Sequence, residues 1–249
     1  MTTVAVTVIT KNEVNFIRTC LDSVRWADEI IIVDSGSTDG TVEICREYTD
    51  QIMLTDWPGF GLQKNRALAR ATSEWVLSLD ADEHVSPELK QEILSAISAP
   101  EEYAAFDLPR RSSYCGRRIR HSGWWPDYVT RLFRRGSARF SDDLVHERLI
   151  VDGLIGRLRE PLIHVAFENL ENVLETMNRY STLGARMMHN RAKKSNMGTA
   201  VLHGFWSFFH TYVVRAGFLD GREGFMLAVS NAEGTYYKYL KLLLLTERK

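Results

Sequence analysis

Trp75-Val76-Leu77-Ser78-Leu79-Asp80-Ala81-Asp82-Glu83-His84 is the stretch whose reading decides the fold. The residues from Trp75 to Leu79 are apolar except Ser78, which predicts a short strand buried on both faces rather than an alternating surface strand. Two aspartates one residue apart leave that strand at its C-terminal end. There they repel each other and lose solvation unless a cation or a network of donors compensates. Mg2+ or Mn2+ suits the role, because these hard ions take carboxylate oxygens and keep positions open for phosphate. A bare D-x-D also describes an ordinary solvated loop, so its neighbours must decide.

Upstream, Val4 to Ile9 is a β-rich run that stops at Thr10-Lys11-Asn12-Glu13, and Val14, Ile17, Leu21 and Val24 then recur at helical spacing with Asn12 as the expected N-cap. Glu29 to Val33 predicts a second buried strand, ending in the Asp34-Ser35-Gly36-Ser37-Thr38-Asp39-Gly40-Thr41 loop, with a helix after it through Val42, Cys45 and Tyr48. Gln51 to Leu54 is a third strand, and Gly59 to Ala71 carries a helix into the Trp75 strand. Alternating strands and helices predict a parallel sheet covered on both faces, whose ligands sit beyond the strand C-termini where all these polar loops lie. No G-x-G-x-x-G follows the first strand and no P-loop occurs anywhere, so neither a dinucleotide fold nor a P-loop NTPase is supported. A calcium loop starting at Ser35 fails because Arg46 stands where a bidentate glutamate is required. Asp39 reads as a turn cap; for Asp34, capping and recognition of a ligand N–H both stay open.

Val6 to Glu13, Val33 to Thr41, Gln63-Lys64-Asn65-Arg66-Ala67-Leu68 and Leu79 to Asp82, in that order and spacing, resemble the nucleotide-sugar half of family-two inverting glycosyltransferases with the GT-A fold. More narrowly, nearly the whole chain resembles bacterial lipopolysaccharide inner-core β-1,4-glucosyltransferases. The resemblance implies an α/β fold, a Rossmann-like mostly parallel sheet with helices on both faces plus a C-terminal helical extension. It also implies that Thr10, Glu13 and Asp34 hold the uridine, that Lys64 reaches toward uracil or diphosphate, that Asp80 meets ribose or sugar, and that Asp82 holds the metal. One departure is that many family members carry two aspartates where this chain has Asp34-Ser35.

Ser86-Pro87-Glu88 starts a helix with a cap and a proline in the first turn, and Leu89, Ile93, Leu94 and Ile97 form its buried stripe. Beyond Pro100, strands are expected at Tyr103 to Leu108, Val129 to Phe133 and Leu149 to Val151. Arginine is abundant there (Arg110, Arg111, Arg117, Arg118, Arg120, Arg131, Arg134, Arg135 and Arg139) and lysine is absent. The planar guanidinium fork suits phosphate and carboxylate, so an anionic acceptor is expected, with a solvated charged face as the alternative. Trp124 and Trp125 stack on a sugar ring or pack in a core. An inverting transfer needs a base for the acceptor hydroxyl. Phe133-Arg134-Arg135 resembles the Phe-Arg-Arg ahead of the family's acidic base motif, which puts Glu147 in that role, with Asp127 second. His164, after Pro161-Leu162-Ile163, reads from its apolar neighbours as a core group; by resemblance it completes the metal site.

From Glu168 the chain reads as helical, with a turn at Gly217 to Gly224 and a final helix over Tyr236 to Leu245. Thr176 to Leu219 contains no acidic residue but includes Arg179, Arg186, Arg191, Lys193, Lys194 and Arg215 beside the aromatic run Val201 to Val214. That pattern fits a segment lying in the headgroup region of an anionic bilayer, with internal helix packing or a dimer contact as the alternative. The divisions expected are 1–99 for nucleotide-sugar binding, 100–167 for acceptor binding and catalysis, and 168–249 for a membrane-associating extension.

The 249 residues suffice for a full core, and a net charge of −1 gives no global attraction to nucleic acid. The three cysteines lack any C-x-x-C pair, which fits a reducing cytosol and argues against a zinc site. No basic n-region opens the chain and no run of apolar residues reaches the length of a membrane span. The reading that follows is a metal-dependent transferase moving glucose from UDP-glucose to a heptose of the lipopolysaccharide core, at the cytoplasmic side of the inner membrane. A polyprenyl phosphate or another surface polysaccharide is the alternative acceptor. A nucleotidyltransferase is the competing class, but Thr10-Lys11-Asn12-Glu13 is not its glycine- and arginine-rich phosphate loop. A protein that only binds sugar nucleotides is a third.

Overall fold

A computed structural model describes residues 2–99, 102–141 and 148–247. Its elements are β1 Val4–Thr10, α1 Ile17–Ser23, β2 Glu29–Asp34, α2 Thr41–Cys45, β3 Ile52–Leu54, α3 Phe60–Leu68, β4 Trp75–Asp80, β5 Glu83–His84, α4 Pro87–Ser98, β6 Tyr103–Tyr114, β7 Arg117–Arg118, β8 Asp127–Arg134, β9 Ala138–Phe140, β10 Leu149–Val151, β11 Leu154–Arg157, β12 Leu162–Phe167, α5 Leu170–Asn190, α6 Met197–Phe209 and α7 Gly221–Glu247. The chain divides into one unit of Met1–Arg110 with Asp127–His164, and another of Arg111–Pro126 with Val165–Lys249.

The first unit is built on a mixed sheet ordered β3-β2-β1-β4-β8-β6-β12-β5, with β11 also beside β6. Strands β3, β2, β1 and β4 run parallel, whereas β8 returns antiparallel to β4. The period of two along β1 assigns its faces. Val4, Val6 and Val8 join Ile30, Ile32, Leu77 and Leu79 against Ile17 and Leu21 of α1 and Leu89, Ile93 and Ile97 of α4. Ala5 turns the other way, into a smaller cluster with Ile31, Val76, Phe133 and Phe140. Burying each such aliphatic side chain stabilises by about 1.5–3 kcal/mol, so β1 and β4, covered on both faces, anchor the sheet. Ser86 caps α4 as expected, its hydroxyl accepting from the Leu89 N–H at 3.1 Å.

Asn12 does not cap α1. It sits at φ +57°, and α1 begins only at Ile17. Its side-chain oxygen accepts from the Thr38 N–H at 2.8 Å and its own N–H donates to the Ser37 hydroxyl at 2.8 Å. An asparagine tolerates this left-handed backbone, and here its amide ties the loop after β1 to the loop after β2.

The second unit is helical. Asn169 and Asn196 cap α5 and α6, accepting from Asn172 and Thr199 N–H groups at 2.9 and 2.8 Å. Tyr114, Ile119, Val173 and Leu227 form its core, with Trp124 and Phe167 packed against them, so Trp124 is a core residue. The final helix starts at Gly221 rather than near Tyr236, and the turn before it is a short 3-10 segment, Gly217–Asp220. Gly224 misled the reading because glycine signals turns; here it lies inside α7, where a Cβ would collide with the Gly217 carbonyl. The helix needs a glycine there for close approach, not for its flexibility.

Candidate active site

Parallel register brings the polar strand ends to one level: Thr10 pairs with Asp34, and Ile9 with Asp80. Each sequence-selected residue of the donor half thus stands at or just past a strand C-terminus, apart from Lys64, which comes from α3.

Asp80 is the centre of a charge network. Lys64 Nζ stands 2.9 Å from Asp80 Oδ1, and Arg131 donates to Asp80 Oδ2. The same guanidinium reaches Glu83 Oε1 at 2.7 Å, and Glu83 Oε2 accepts from the Asp80 N–H at 3.0 Å. Glu83 is completely buried, and Lys64 and Arg131 nearly so. Burial by itself raises the Asp80 carboxyl, but Arg131 and Lys64 outweigh it and hold Asp80 well below the usual carboxylate range. Arg131 is likewise destabilised as a cation by burial and more than restored by Asp80 and Glu83.

The sequence places Arg131 only among the arginines expected to meet an anionic acceptor and gives Glu83 no role; in the structure Arg131 is turned inward onto Asp80 and Glu83 instead. The available signal was an arginine inside the otherwise inward-facing Leu132-Phe133 end of β8, where only a paired charge is tolerated.

Asp82 is placed differently. Its Oδ1 is buried without a hydrogen-bond partner, and its Oδ2 lies 3.4 Å from His164 Nε2. His164 is set there by the antiparallel pairing of β12 with β5, which aligns it with Glu83. No group of three His, Cys, Asp or Glu side chains converges to hold a metal among the described residues. With one buried oxygen unpartnered and an imidazole beside the other, Asp82 and His164 suit at most two protein ligands of an ion whose remaining oxygens come from phosphate and water.

Glu13 faces the same acidic corner. Burial first, then the fields of Asp82, Asp39 and Asp80, push its carboxyl up to about 7. Thr10 Oγ1 is buried and also without a partner. Asp34 is fully buried, with Oδ1 accepting from the Gly36 and Ser37 N–H groups at 2.9 Å each and Oδ2 from the Ser37 hydroxyl. Its carboxylate thus organises its own loop. Asp39 does the same, accepting from Val14 and Thr41 N–H groups at 3.1 Å.

Of the two base candidates, Glu147 lies outside the described residues. The segment carrying it is bracketed by the β9–β10 pair, Phe140 opposite Leu149, and by Ser141 N–H donating to the Arg148 carbonyl at 2.9 Å. Asn65 of α3 holds that hairpin, its amide donating to the Phe140 carbonyl and accepting from the Phe140 N–H, both at 2.9 Å. Asp127 is described, and its Oδ2 accepts from Arg110 at 2.7 and 3.0 Å.

The model of glycosyl transferase family 2 matches residues 5–166. The lipopolysaccharide core biosynthesis glycosyltransferase LpsC of Rhizobium meliloti is 29% identical over 237 residues, covering 90% of this chain and 86% of that one. An uncharacterized glycosyltransferase of Rickettsia conorii is 28% identical over 247 residues, covering 94% and 88%. Among solved structures, S. aureus TarS 1–349 in complex with UDP-GlcNAc superposes with a TM-score of 0.50 at 15% identity, over 99% of this chain and 91% of that one. The chain spans 45% of a longer TarS chain. The fold is the GT-A-like one that the motifs implied, a mostly parallel sheet with helices and a C-terminal helical stretch.

Proposed function

Because the chain belongs to glycosyl transferase family 2, we propose that it moves glucose from UDP-glucose to a heptose of the lipopolysaccharide inner core with inversion at the anomeric carbon. The observation that carries the donor half of this reading is the contrast between Asp80 and Asp82. The first is held ionised by Lys64 and Arg131; the second keeps a buried oxygen unpartnered beside His164. One carboxylate is thereby fixed to accept from a ribose or sugar hydroxyl, and the other is left for an ion. Similarity to LpsC supports the lipopolysaccharide acceptor.

In this mechanism Thr10, Glu13 and Asp34 border the uridine, Lys64 and Arg131 set the charge at the sugar end, and Asp82 with His164 holds the divalent ion. When bound, that ion supplies Lewis-acid stabilisation of the charge that builds on the departing diphosphate. Glu147 takes the proton from the acceptor hydroxyl as that oxygen attacks, and UDP leaves from the opposite face. Asp127, already accepting twice from Arg110, is the second choice for this role.

The protein works at the inner-membrane surface in this reading. No helix among the described residues is long and apolar enough to cross a membrane. Yet α6 exposes Leu202, Phe205 and Trp206 at 69, 67 and 56%. Val213, Val214, Phe218 and Leu219 continue as exposed apolar residues beyond it, with Arg191, Lys193 and Lys194 ahead of it in the chain. An apolar helix face with basic flanks suits the headgroup region of an anionic leaflet.

The deciding experiment follows UDP release from a panel of UDP-sugars with Mg2+ or Mn2+, with and without a truncated core acceptor. Acceptor-dependent release from UDP-glucose is expected. No release from any UDP-sugar refutes the proposal, and release that depends on a polyprenyl phosphate instead reassigns the acceptor.

A further inference from the structure

Strands β6 and β7 form a hairpin in which Ser113 pairs with Arg118 and Tyr114 with Arg117. The Ile119 N–H donates to the Ser112 carbonyl at 3.1 Å, so the same antiparallel register continues one step further and sets Arg111 opposite Arg120. Alternation then divides the hairpin. Ser112, Tyr114 and Ile119 are buried, while Arg111 and Arg118 are half-buried and Arg120 is exposed on the other face.

Like charges directly opposite in a strand pair are destabilising. Arg117, on the buried side's register, has Glu223 at 3.4 Å. For Arg111, Arg118 and Arg120 no carboxylate comes within ion-pair reach among the described residues. Asp220, nearby in the same unit, is buried and accepts from the Arg120 and His121 N–H groups at 2.9 and 3.0 Å, so it serves the main chain. Arg118 lies over the Trp125 ring, its Cζ 5.2 Å from the centroid, and its Nε is buried without a partner. Burial, then Arg111 and Arg120, make the charge on Arg118 harder to keep.

We infer that Arg111, Arg118 and Arg120, with Trp125 as a platform, form a binding site for an oxyanion, a phosphate or carboxylate group. Three arginines on one face of the hairpin, without a counter-charge among the described residues, suit such groups, which guanidinium forks bind bidentately. The site is complete within its own unit. Its role rests on the transferase reading above: it takes the anionic substituent of the acceptor saccharide, which deepens acceptor choice beyond the hydroxyl that reacts.

The test is thermal unfolding of the full chain in inorganic phosphate, in acetate and in chloride at equal ionic strength, for wild type, Arg118→Gln and Arg111→Gln. Phosphate can also meet the Lys64 and Arg131 site, so the difference between wild type and variants is what is read. At a phosphate concentration roughly tenfold above Kd the wild-type Tm should rise by about 3–6 °C over chloride, and both variants should lose most of that rise. A rise with phosphate alone assigns a phosphoryl group, and one with acceptor-like acetate as well assigns a carboxylate. In chloride, Arg111→Gln should melt about 1–3 °C higher than wild type, because it removes a facing like charge; a residue with a merely structural pairing role would melt lower. Equal rises in all three proteins, or none, overturn the site. Separately, Arg118→Gln should raise KM roughly tenfold for a phosphorylated or carboxylated acceptor and leave KM for its neutral counterpart unchanged. Wild type that transfers no sugar defeats the transferase reading, whereas the phosphate arm then still decides the site.

Discussion

Arginine does opposite work in the two units. In the sheet unit Arg131 is almost wholly buried and bonds two carboxylates, and Arg110 and Arg134 each have an acidic partner at 2.7 and 2.8 Å. In the helical unit Arg111, Arg118 and Arg120 face one another without one, and α6 leaves its largest apolar side chains in water. In the first unit Arg131, Arg110 and Arg134 find carboxylates of the same unit. In the second, those three hairpin arginines and the exposed face of α6 find no such partner among the described residues. A surface left unsatisfied by its own chain is where a protein meets something else, and the two kinds of bare surface call for two kinds of contact, an anion and an apolar layer.

The largest expected effect tests whether chemistry belongs to the sheet unit at all. Glu147→Gln should lower transfer by roughly 10²–10⁴ while UDP-sugar affinity stays within about twofold, read from initial rates and calorimetry. Full activity would hand the base role to Asp127. Next comes the paired arginine itself. Arg131→Met strands Asp80 and Glu83 and should destabilise by about 3–5 kcal/mol in urea unfolding. If it cost no more than Arg118→Gln, the contrast between the units would vanish. A double change on the bare helix, Phe205→Ser with Trp206→Ser, should cut co-sedimentation with anionic liposomes roughly 10- to 100-fold and leave the urea midpoint nearly unchanged, since both side chains are exposed. A marked loss of stability instead would mean that this face is packed rather than free.

The smallest effect concerns pH. Burial and the fields of Asp82, Asp39 and Asp80 raise the Glu13 carboxyl of the folded protein to about 7, against an ordinary value of 4.5. Between those values the folded state binds more protons than the unfolded one, so stability present below pH ~4.5 declines as pH rises and levels off above ~7. Partial exposure keeps the decline within about 2 kcal/mol. Glu13→Gln should flatten it in urea unfolding at a series of pH values. A slope that survives the substitution places the titrating group elsewhere.

Much of the donor half was legible because its signals are local. An uninterrupted apolar run such as Ile30 to Val33 can be read without knowing its neighbours, and polar residues directly after such runs mark the strand ends. The charge network was not legible as a network. Arg131 and Asp80 are 51 positions apart, and only the antiparallel return of β8 beside β4 makes them partners. For Asp34 the sequence left capping and ligand recognition both open, and that it braces its own loop became visible only with the backbone conformation of Gly36 and Ser37. In the helical unit, the glycines between Gly217 and Gly224 obscured the start of a single long helix, because the sequence does not reveal which glycines bend a chain and which admit a neighbour.

The two hydrogen bonds between Asn65 and Phe140 have a further consequence. On its other side β9 pairs with β10, so at Phe140 one side-chain amide supplies both the donor and the acceptor that an added strand would offer. The hairpin's free margin is thereby plugged by a helix rather than left as a template for a stray chain. Replacing that amide with an aliphatic group of similar size would unplug it, and self-association through β9 would become the protein's characteristic failure.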